Sequence, residues 1–363
     1  MAAQSTGPTL TNITYLGRQA VKFGAIGLVV LIVGRTVIMT SITVWKALNP
    51  EPPPPPTVGF GLLPAQRFPQ QLASEKPASY SLETPTGTLP KFGDRAKVFF
   101  MPKSTLGLFA DQAGRDIAAD YGFVLEPEVL STRIYRWKKQ QPLDTTLQLD
   151  VQTKQLQLTT NYLSRPDLIG QGQLPDDFTA VDEVKAFLKR GELLTPDIAT
   201  VAGSITYLKT SGTELVEAVS FSDADFLQVD LQRTPVDNFY QFYTPNGTEG
   251  VVSAVLTGAL SGVENIVQLY YNYQPLEYDQ VHTYPLRSTQ EAWQILQSGG
   301  GYIASNVDDG DTAIIRRVFL GYYDDFEEQS YMQPIFIFQG DDDFLGYVPA
   351  LDQRFVQSSQ VIQ

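Results

Sequence analysis

The sequence predicts an α+β protein with an N-terminal transmembrane helix, a Pro-rich stalk, and two or three modules that each pack one helix on an antiparallel sheet. Three observations predict this fold class. They are an apolar run at residues 23–45, five consecutive prolines at 52–56, and a long remainder in which isolated helical periods alternate with groups of period-two segments. The chain has 363 residues and is 43% hydrophobic, so it is long enough for two or three domains that bury a core.

The apolar run carries a single charge, Arg35, between Phe23 and Trp45. A helix of this length spans about 34 Å, enough for a hydrocarbon layer of about 30 Å. No small-x-small cleavage site follows the first apolar stretch, and apolar character resumes after Arg35. We therefore predict a retained transmembrane helix over residues 23–45 and not a cleaved signal peptide.

Charge placement predicts the orientation. Arg18 and Lys22 precede the helix, whereas only Lys46 follows it closely, so we expect residues 1–22 to be cytoplasmic and the body extracytoplasmic. Beyond residue 49 the chain has 22 basic and 40 acidic residues, a net charge of −18. Such a body repels a phosphate backbone, which excludes nucleic acid as an expected partner. The chain has no cysteine, and exported domains without disulfides are typical of bacterial envelope proteins.

Arg35 lies near the middle of the predicted span, where an arginine costs about 2.5–3.5 kcal/mol on insertion scales. One interpretation is that insertion of the surrounding hydrophobic residues offsets this cost and that the Arg35 side chain snorkels to the membrane surface. The other is that it pairs with a group on a partner's transmembrane helix. Thr36, Thr40 and Thr43 share one helix face and would form a polar contact stripe beside it.

Residues 46–78 are predicted to form a Pro-rich stalk and linker. Five consecutive prolines favour a polyproline II rod of about 3.1 Å per residue. Such runs also bind SH3-type modules, but those are usually cytoplasmic, so a stiff spacer is the preferred interpretation. Residues 57–78 stay rich in Pro, Gly and Gln, which is typical of a linker.

The body is predicted to contain three α+β units. The first covers 79–165 and the second 176–286, each with a helix followed by strands. The third, 287–352, opens with a capping box at Ser288, and a tail follows at 353–363. Within the second unit, Asn246-Gly247 predicts a hairpin turn between the flanking strand-like segments.

Chemistry-bearing motifs are scarce. His282 is the only histidine, and the chain has neither a Gly-x-Ser-x-Gly nucleophile elbow nor a phosphate-binding glycine motif. Residues 306–311 resemble a calcium loop loosely, but the glycine and the final glutamate of an EF-hand are not in place. Residues 341–343 are predicted to be a solvated turn. We therefore predict no catalytic residue, no metal site and no cofactor, with weak calcium binding by the acidic loops as a minor hypothesis.

Aromatic residues are more informative. Tyr and Phe total 38 and concentrate in the later strands, where they mostly fill β cores. Adjacent residues on a strand point to opposite faces, so a pair such as Tyr322 and Tyr323 is expected to place at least one ring on the surface. Exposed aromatic residues of this kind suit a binding surface.

The third unit resembles the extracytoplasmic domain of the YycH/YycI-type regulators of the WalK sensor histidine kinase. The similar segments are the helix at 288–293 and the strands at 318–323 and 332–338, within a similar membrane-anchored layout. The resemblance covers about 287–352. It implies a single-pass, non-enzymatic protein that contacts a kinase through membrane and extracytoplasmic regions, and it supplies no catalytic residues.

The leading functional hypothesis is therefore a non-enzymatic single-pass envelope protein that binds or regulates another membrane or cell-wall component, such as a sensor kinase. One alternative is an envelope hydrolase that acts through carboxylates on glycan or peptide, which requires a deep cleft with acids of raised pKa. Another is a structural component of the cell surface. The sequence does not specify the oligomeric state.

Overall fold

The computed structural model describes residues 10–48, 54–72, 76–165, 172–305 and 312–357. The chain divides into two compact units, Met1–Pro55 and Pro56–Gln363. Its helices are α1 (Leu10–Leu48), α2 (Ala110–Asp120), α3 (Asp177–Arg190), α4 (Pro196–Ala199) and α5 (Thr289–Gln297).

The helix α1 forms the described part of the first unit. It is long and apolar enough to cross a membrane over Thr14–Trp45, with a mean hydropathy of 2.1, and its side chains there are exposed. The predicted span at 23–45 lies inside it. A signal sequence can have the same length and hydropathy, so the helix is either a membrane anchor or a signal sequence. Two of the five prolines of the predicted rod, Pro52 and Pro53, lie outside the described residues.

The second unit contains two sheets. The larger has nine strands in the order β3-β4-β5-β6-β12-β11-β9-β7-β8, with antiparallel pairing throughout. Its strands are β3 (Glu128–Val129), β4 (Ile134–Lys139), β5 (Thr145–Asp150), β6 (Leu156–Thr160), β7 (Ser204–Ser211), β8 (Glu214–Glu217), β9 (Phe226–Leu231), β11 (Val252–Thr257) and β12 (Ile266–Tyr271).

The smaller sheet has eight strands, with the path β1-β15-β16-β17-β14. In addition β10 pairs in parallel with β15, and β2 pairs with both β13 and β16. Its strands are β1 (Ser79–Leu82), β2 (Arg95–Phe100), β10 (Phe242–Tyr243), β13 (Glu277–Pro285), β14 (Tyr302–Ser305), β15 (Thr312–Tyr323), β16 (Tyr331–Gly340) and β17 (Leu345–Pro349).

The core of the nine-stranded sheet follows from its sequence pattern. Alternate residues of β5 and β6, such as Leu147, Leu149 and Leu158, are buried against α2 and α3. The two helices meet where the ring of Tyr121 stacks on that of Phe187, with centroids 4.1 Å apart. One face of this sheet thus holds the largest core of the unit.

The two sheets do not follow the three consecutive units predicted from the sequence, because each sheet contains strands from more than one of them. β1 and β2, at the start of the predicted first unit, join the eight-stranded sheet, whereas β3–β6 join strands of the predicted second unit in the nine-stranded one. β1 pairs in parallel with β15, more than 230 residues further on, with Ser79 opposite Thr312. The α+β class is therefore confirmed, but the body is one interleaved unit.

The hairpin predicted at Asn246-Gly247 is wrong, because the strands on either side of the turn do not pair with each other. A tight turn forms there, with a bridge between Thr244 and Gly247. The flanking strands nevertheless separate, because β10 pairs with β15 and β11 lies between β9 and β12 in the other sheet. The turn directs the chain from one sheet to the other.

The predicted surface position of Tyr322 and Tyr323 is also wrong. Their exposed fractions are 3% and 0%. Tyr322 packs with Phe99 and Phe242 on one face of the sheet, and Tyr323 packs with Phe68 on the other. Both faces of β15 are covered at its C-terminal end, so the alternating sides of the strand are both core there.

Residues 57–72, which we name the strap, form a packed segment where the sequence predicts a linker. Leu63 is fully buried, its N–H donates to the Phe355 carbonyl, and its own carbonyl accepts from Gln357. Phe68 packs on Tyr302, with ring centroids 5.3 Å apart. The strap therefore belongs to the core of the second unit, and the first part of the predicted tail, through residue 357, lies against it.

The capping box predicted at Ser288 is present in part, since the serine side chain accepts from the N–H of Glu291 at 3.1 Å. We expect Ser288→Ala to lower the free energy of unfolding by about 1 kcal/mol, because one helix N–H loses its acceptor. Ser288→Asp should retain most of the stability, since aspartate caps equally well. Chemical denaturation of the three proteins measures this, and equal loss in both variants would contradict the capping role.

Candidate functional site

The two sheets meet at a polar junction that four separate elements build. Arg233 lies two residues after β9 and Tyr273 two residues after β12, both from the nine-stranded sheet. Asp324 directly follows β15 of the other sheet, and Asp197 lies in the short helix α4. The junction therefore forms only when both sheets are assembled.

Arg233 is the centre of the junction, and its side chain is completely buried. Its Nε donates to Asp324 at 2.5 Å and its Nη1 to Asp197 at 3.2 Å, while Nη2 donates to the Gln274 carbonyl at 2.6 Å. The guanidinium also lies over the ring of Tyr273, 4.2 Å from the centroid. A buried charge needs such compensation, since desolvation alone would be prohibitive.

Asp197 accepts hydrogen bonds from several further side chains. The hydroxyls of Tyr273 and Tyr278 donate to it at 3.2 Å, and that of Thr195 donates at 2.6 Å. Its carboxylate is thus held by neutral donors as well as by Arg233. Tyr278 is 40% exposed, so this set connects the buried arginine to the surface.

Arg233 and Asp324 each stabilise the charged form of the other. Although burial acts to lower it, the pKa of Arg233 is raised above its ordinary value by Asp324 and other neighbours, so the guanidinium stays protonated. Burial raises the pKa of Asp324, and the attraction of Arg233 acts in the opposite direction. Because the pair is in direct contact, we treat it as an ion pair.

A cavity of about 630 Å³ opens beside the junction, and we name it the junction cavity. Its walls are largely aromatic and apolar, with a small polar set that includes Asp197 and the ion pair Lys97–Asp237, whose atoms are 2.6 Å apart. The apolar and aromatic lining residues are Phe99, Pro196, Pro235, Val236, Tyr273, Leu276 and Tyr278. This size and lining are typical of sites for organic ligands.

A second cavity, of about 570 Å³, shares Thr234 and Pro235 with the first. Asp230 lines it and is 5% exposed. Burial raises the pKa of Asp230, and burial likewise raises that of the nearby Glu249, to which Asp230 adds repulsion. Only Asp230 lines the cavity, and Glu249 follows the lining residue Thr248, so one of the two carboxyls with raised pKa values that the hydrolase alternative requires lies at the cavity itself.

Asp325 follows the junction and is 9% exposed. Burial, with smaller contributions from Glu327 and Asp324, raises its pKa to about 6. Between about pH 4 and pH 6 the folded state therefore keeps a proton that the unfolded state has released. The free energy of unfolding should fall as the pH rises through this window.

We expect Asp325→Asn to flatten this pH dependence by about 1–2 kcal/mol, because the asparagine does not titrate. Thermal unfolding at a series of pH values measures the difference between the two proteins. Asp341→Asn is the control, since Arg316 lowers the pKa of that exposed carboxyl and its titration falls below the window. An unchanged profile in Asp325→Asn would contradict the assignment.

The residues predicted from the sequence do not converge on the junction. The hydroxyls of Thr36, Thr40 and Thr43 donate to carbonyls four residues earlier in α1, so their single donors are used within the helix. Arg35 lies on an exposed side of α1. The partner contact predicted for these four residues thus stays a proposal.

His282 and the acidic segments have other positions. His282 lies on β13, where its Nδ1 is 3.1 Å from the Thr57 hydroxyl and its ring contacts Phe60. The acidic segment 306–311 lies outside the described residues, and 341–343 forms a turn in which Asp341 pairs with Arg316. Among the residues that the structure describes, no group of three or more His, Asp or Glu side chains is placed to hold a metal ion.

Sequence reasoning missed Arg233, Asp197 and Tyr278. Arg233 lies between polar residues after an apolar strand, a pattern that normally indicates a solvated loop. The one local signal is that Tyr271 and Tyr273 share a face, and their rings do lie 6.1 Å apart.

Comparison with known proteins gives little to add. No protein-family model matches the chain, and no curated protein matches it. Among solved structures, it is similar to an uncharacterized protein from Eubacterium rectale ATCC 33656, with 8% identity and a TM-score of 0.29, over 71% of this chain and 82% of that one. A likeness of this size supports no inference about fold or function.

Proposed function

We propose that this protein is a non-enzymatic, membrane-anchored binding protein of the bacterial envelope, whose body binds another membrane or wall component at the junction cavity. The observation that supports this most is the cavity itself, with its aromatic walls and few polar groups. The polar groups beside it, Asp197 and the Lys97–Asp237 pair, are engaged with one another or with neighbours, which suits recognition better than proton transfer.

The rest of the chain fits this proposal. The apolar helix would anchor the protein with residues 1–22 in the cytoplasm and the body outside, as the charge bias favours. The proline run at 52–56 would act as the spacer. Arg35 and the threonine face would contact a partner helix, and the weak resemblance of residues 287–352 makes a sensor kinase one such partner.

The test is site-specific photo-crosslinking of the full-length chain in native membranes. A photoreactive residue replacing Tyr278, at the edge of the junction cavity, should give a discrete adduct with one component. The same residue replacing Phe178, which is 76% exposed on α3, is the matched control and should give none. A second probe replacing Thr40 tests the helix contact separately.

Adducts from Phe178 as abundant as those from Tyr278, or none from either, would overturn binding at the cavity. The orientation is tested by adding protease to intact cells. Digestion of the body is expected, and protection of the body with digestion only after lysis would overturn an extracytoplasmic location.

The hydrolase alternative rests on Asp230, which lines the second cavity, and on the nearby Glu249, because burial raises the pKa of both carboxyls. In that function one acid would protonate the leaving group while another carboxylate assists the attack. Incubation of the full chain with isolated wall glycan and with wall peptide would release soluble fragments. If release persists unchanged in Asp230→Asn and Glu249→Gln, the two carboxyls are not the catalytic groups.

A further inference from the structure

A smaller cavity, of about 200 Å³, adjoins the junction cavity, and we name it the side cavity. The two cavities share Lys97 and Asp237 as lining residues. Their floors are also in contact, because Phe99 lines the junction cavity, Tyr322 lines the side cavity, and the two ring centroids are 5.7 Å apart. The cavities therefore lie side by side, and the Lys97–Asp237 ion pair forms the boundary between them.

The ion pair at this boundary is accessible. Lys97 Nζ and Asp237 Oδ1 are 2.6 Å apart, and the two side chains are 41% and 51% exposed. A short hairpin holds Asp237 in place, since Val236 and Tyr240 exchange backbone hydrogen bonds of 3.0 and 2.9 Å around it. Asp237 itself has a φ of 54°, in the left-handed region that few residues other than Gly, Asn and Asp adopt. A ligand in either cavity thus meets a positioned donor and a positioned acceptor.

An aromatic ring lies beside the ion pair in the junction cavity. Tyr278 is 40% exposed, yet its side chain is held, because its hydroxyl donates to Asp197 at 3.2 Å and its ring packs on that of Phe99, with centroids 5.9 Å apart. Phe99 and Lys97 are two positions apart on β2 and so face the same side of the sheet. The exposed ring of Tyr278 and the ion pair therefore lie on the same side of β2.

These groups define the chemistry of a ligand. A fixed aromatic ring offers an apolar surface, while the ion pair offers an acceptor and a donor at adjacent positions. A pyranose ring complements both, since its C–H face is apolar and each of its hydroxyls both donates and accepts. Neighbouring hydroxyls of one sugar would donate to Asp237 and accept from Lys97 while the ion pair stays closed. Two adjoining cavities provide space for successive rings of a chain.

We propose that the junction and side cavities together bind an uncharged saccharide chain, with one ring on Tyr278 and neighbouring hydroxyls on the Lys97–Asp237 pair. This inference rests on the proposed function and specifies the component bound at the junction cavity as a glycan of the wall.

Other classes of ligand fit less well. A free ammonium group would compete with Lys97 for Asp237, and a carboxylate would compete with Asp237 for Lys97, so either would break a close ion pair. A proline-rich peptide also packs on aromatic rings, but its carbonyls require donors. The hydroxyls of Tyr273 and Tyr278 already donate to Asp197, so they do not serve this purpose. A saccharide uses the ring and the ion pair as they are.

The test is titration calorimetry of the full-length chain in a polyoxyethylene detergent, which carries no sugar. The probes are four uncharged tetrasaccharides, namely the β-1,4 tetramers of N-acetylglucosamine, glucose and mannose and the α-1,4 tetramer of glucose. Saturable binding of at least one is expected. The corresponding monosaccharide should bind at least about tenfold more weakly, because it occupies only one of the two cavities.

Tyr278→Ala should raise the dissociation constant of the bound tetramer at least about tenfold, because it removes the aromatic surface. Tyr278→Phe retains the ring and should recover most of the affinity. The matched control is Tyr270→Ala, since Tyr270 is 37% exposed on β12 and lines neither cavity. This control should leave binding unchanged.

Asp237→Ala should also raise the dissociation constant about tenfold, because it removes a charged acceptor. The matched control is Asp223→Ala. Asp223 pairs with Lys209 at 2.7 Å, the two side chains are 48% and 36% exposed, and neither residue lines the two cavities. The control should bind the tetramer as the unaltered chain does.

The proposal would be overturned if none of the four tetramers shows saturable binding, or if Tyr278→Ala or Asp237→Ala binds with unaltered affinity. Tighter binding of decaproline than of every tetramer would identify a peptide site instead. Tighter binding of the deacetylated N-acetylglucosamine tetramer, which carries four ammonium groups, would identify a cation site. Thermal unfolding verifies that each variant is folded, and Asp237→Ala decides the matter if Tyr278→Ala is not.

The outcome is separable from that of the proposed function. If no tetramer binds but the photoreactive residue at position 278 still gives one discrete adduct in native membranes, the saccharide is wrong and binding at the junction cavity stands. If neither a tetramer nor an adduct is found, both proposals are overturned.

Discussion

Replacing Arg233 with methionine is expected to lower the free energy of unfolding by about 3–5 kcal/mol, because the change leaves buried carboxylates without their counter-charge. Asp324 is 0% exposed and would lose both of its guanidinium contacts. Asp197 would keep its three hydroxyl donors, so most of the loss comes from Asp324. Denaturant unfolding of the full chain in detergent, followed by tryptophan fluorescence, measures the effect.

The matched control is Arg316→Met. Arg316 also bridges two carboxylates, Glu83 and Asp341, each at 2.6 Å, but its side chain is 42% exposed. Exposed pairs contribute about 0–1 kcal/mol, so this variant should unfold close to the unaltered chain. Adding Asp324→Leu to Arg233→Met should restore part of the stability, since it removes the unpaired charge. If the two arginine variants lose equal stability, burial is not what makes Arg233 important.

Leu63→Ala is expected to lower the free energy of unfolding by about 2–5 kcal/mol, because it leaves a cavity in a packed core. The Leu63 side chain is fully buried and packs with Val98, Tyr284 and Leu351. Leu62→Ala, the same change at the adjacent residue, is the control, since Leu62 is 57% exposed and should lose little. The pair is measured by the same denaturant unfolding.

This comparison also tests whether the strap is part of the folded body. If it were the linker that its composition indicates, both substitutions would be nearly neutral. A large and selective effect at Leu63 would show that the body needs residues from 57 onward. A similar loss at both positions would contradict the burial difference between the two leucines.

Local features were predicted well where the sequence carries local signals. The helix at 288–293 and the strands at 318–323 and 332–338 lie within or next to α5, β15 and β16, because capping and continuous apolar runs are properties of neighbouring residues. The helix α3 begins at Asp177, one residue after the predicted start of the second unit at 176. Such shifts are common at helix ends.

Long-range features were not predictable in the same way. The pairing of β1 with β15 and the burial of Arg233 both depend on residues far along the chain, and Asp324 is 91 positions from Arg233. Tyr322 and Tyr323 carry the alternation of an ordinary strand, and their burial depends on the packing of the strap, β10 and other distant strands against them. The junction cavity arises from the same assembly, so no motif indicates it.

The attachment of the strap has a mechanical consequence for a protein held at its N-terminal side. A pull applied at Pro56 first meets the hydrogen bonds between Thr57 and Thr283. It then meets the backbone hydrogen bond from the Val58 N–H to the Thr283 carbonyl, and next those that join Leu63 to Phe355 and Gln357. Leu63 lies parallel to Val356, so tension along the strap loads the two hydrogen bonds of Leu63 together and in shear. Force applied at Pro56 is thereby delivered to β13 and to the segment at 355–357.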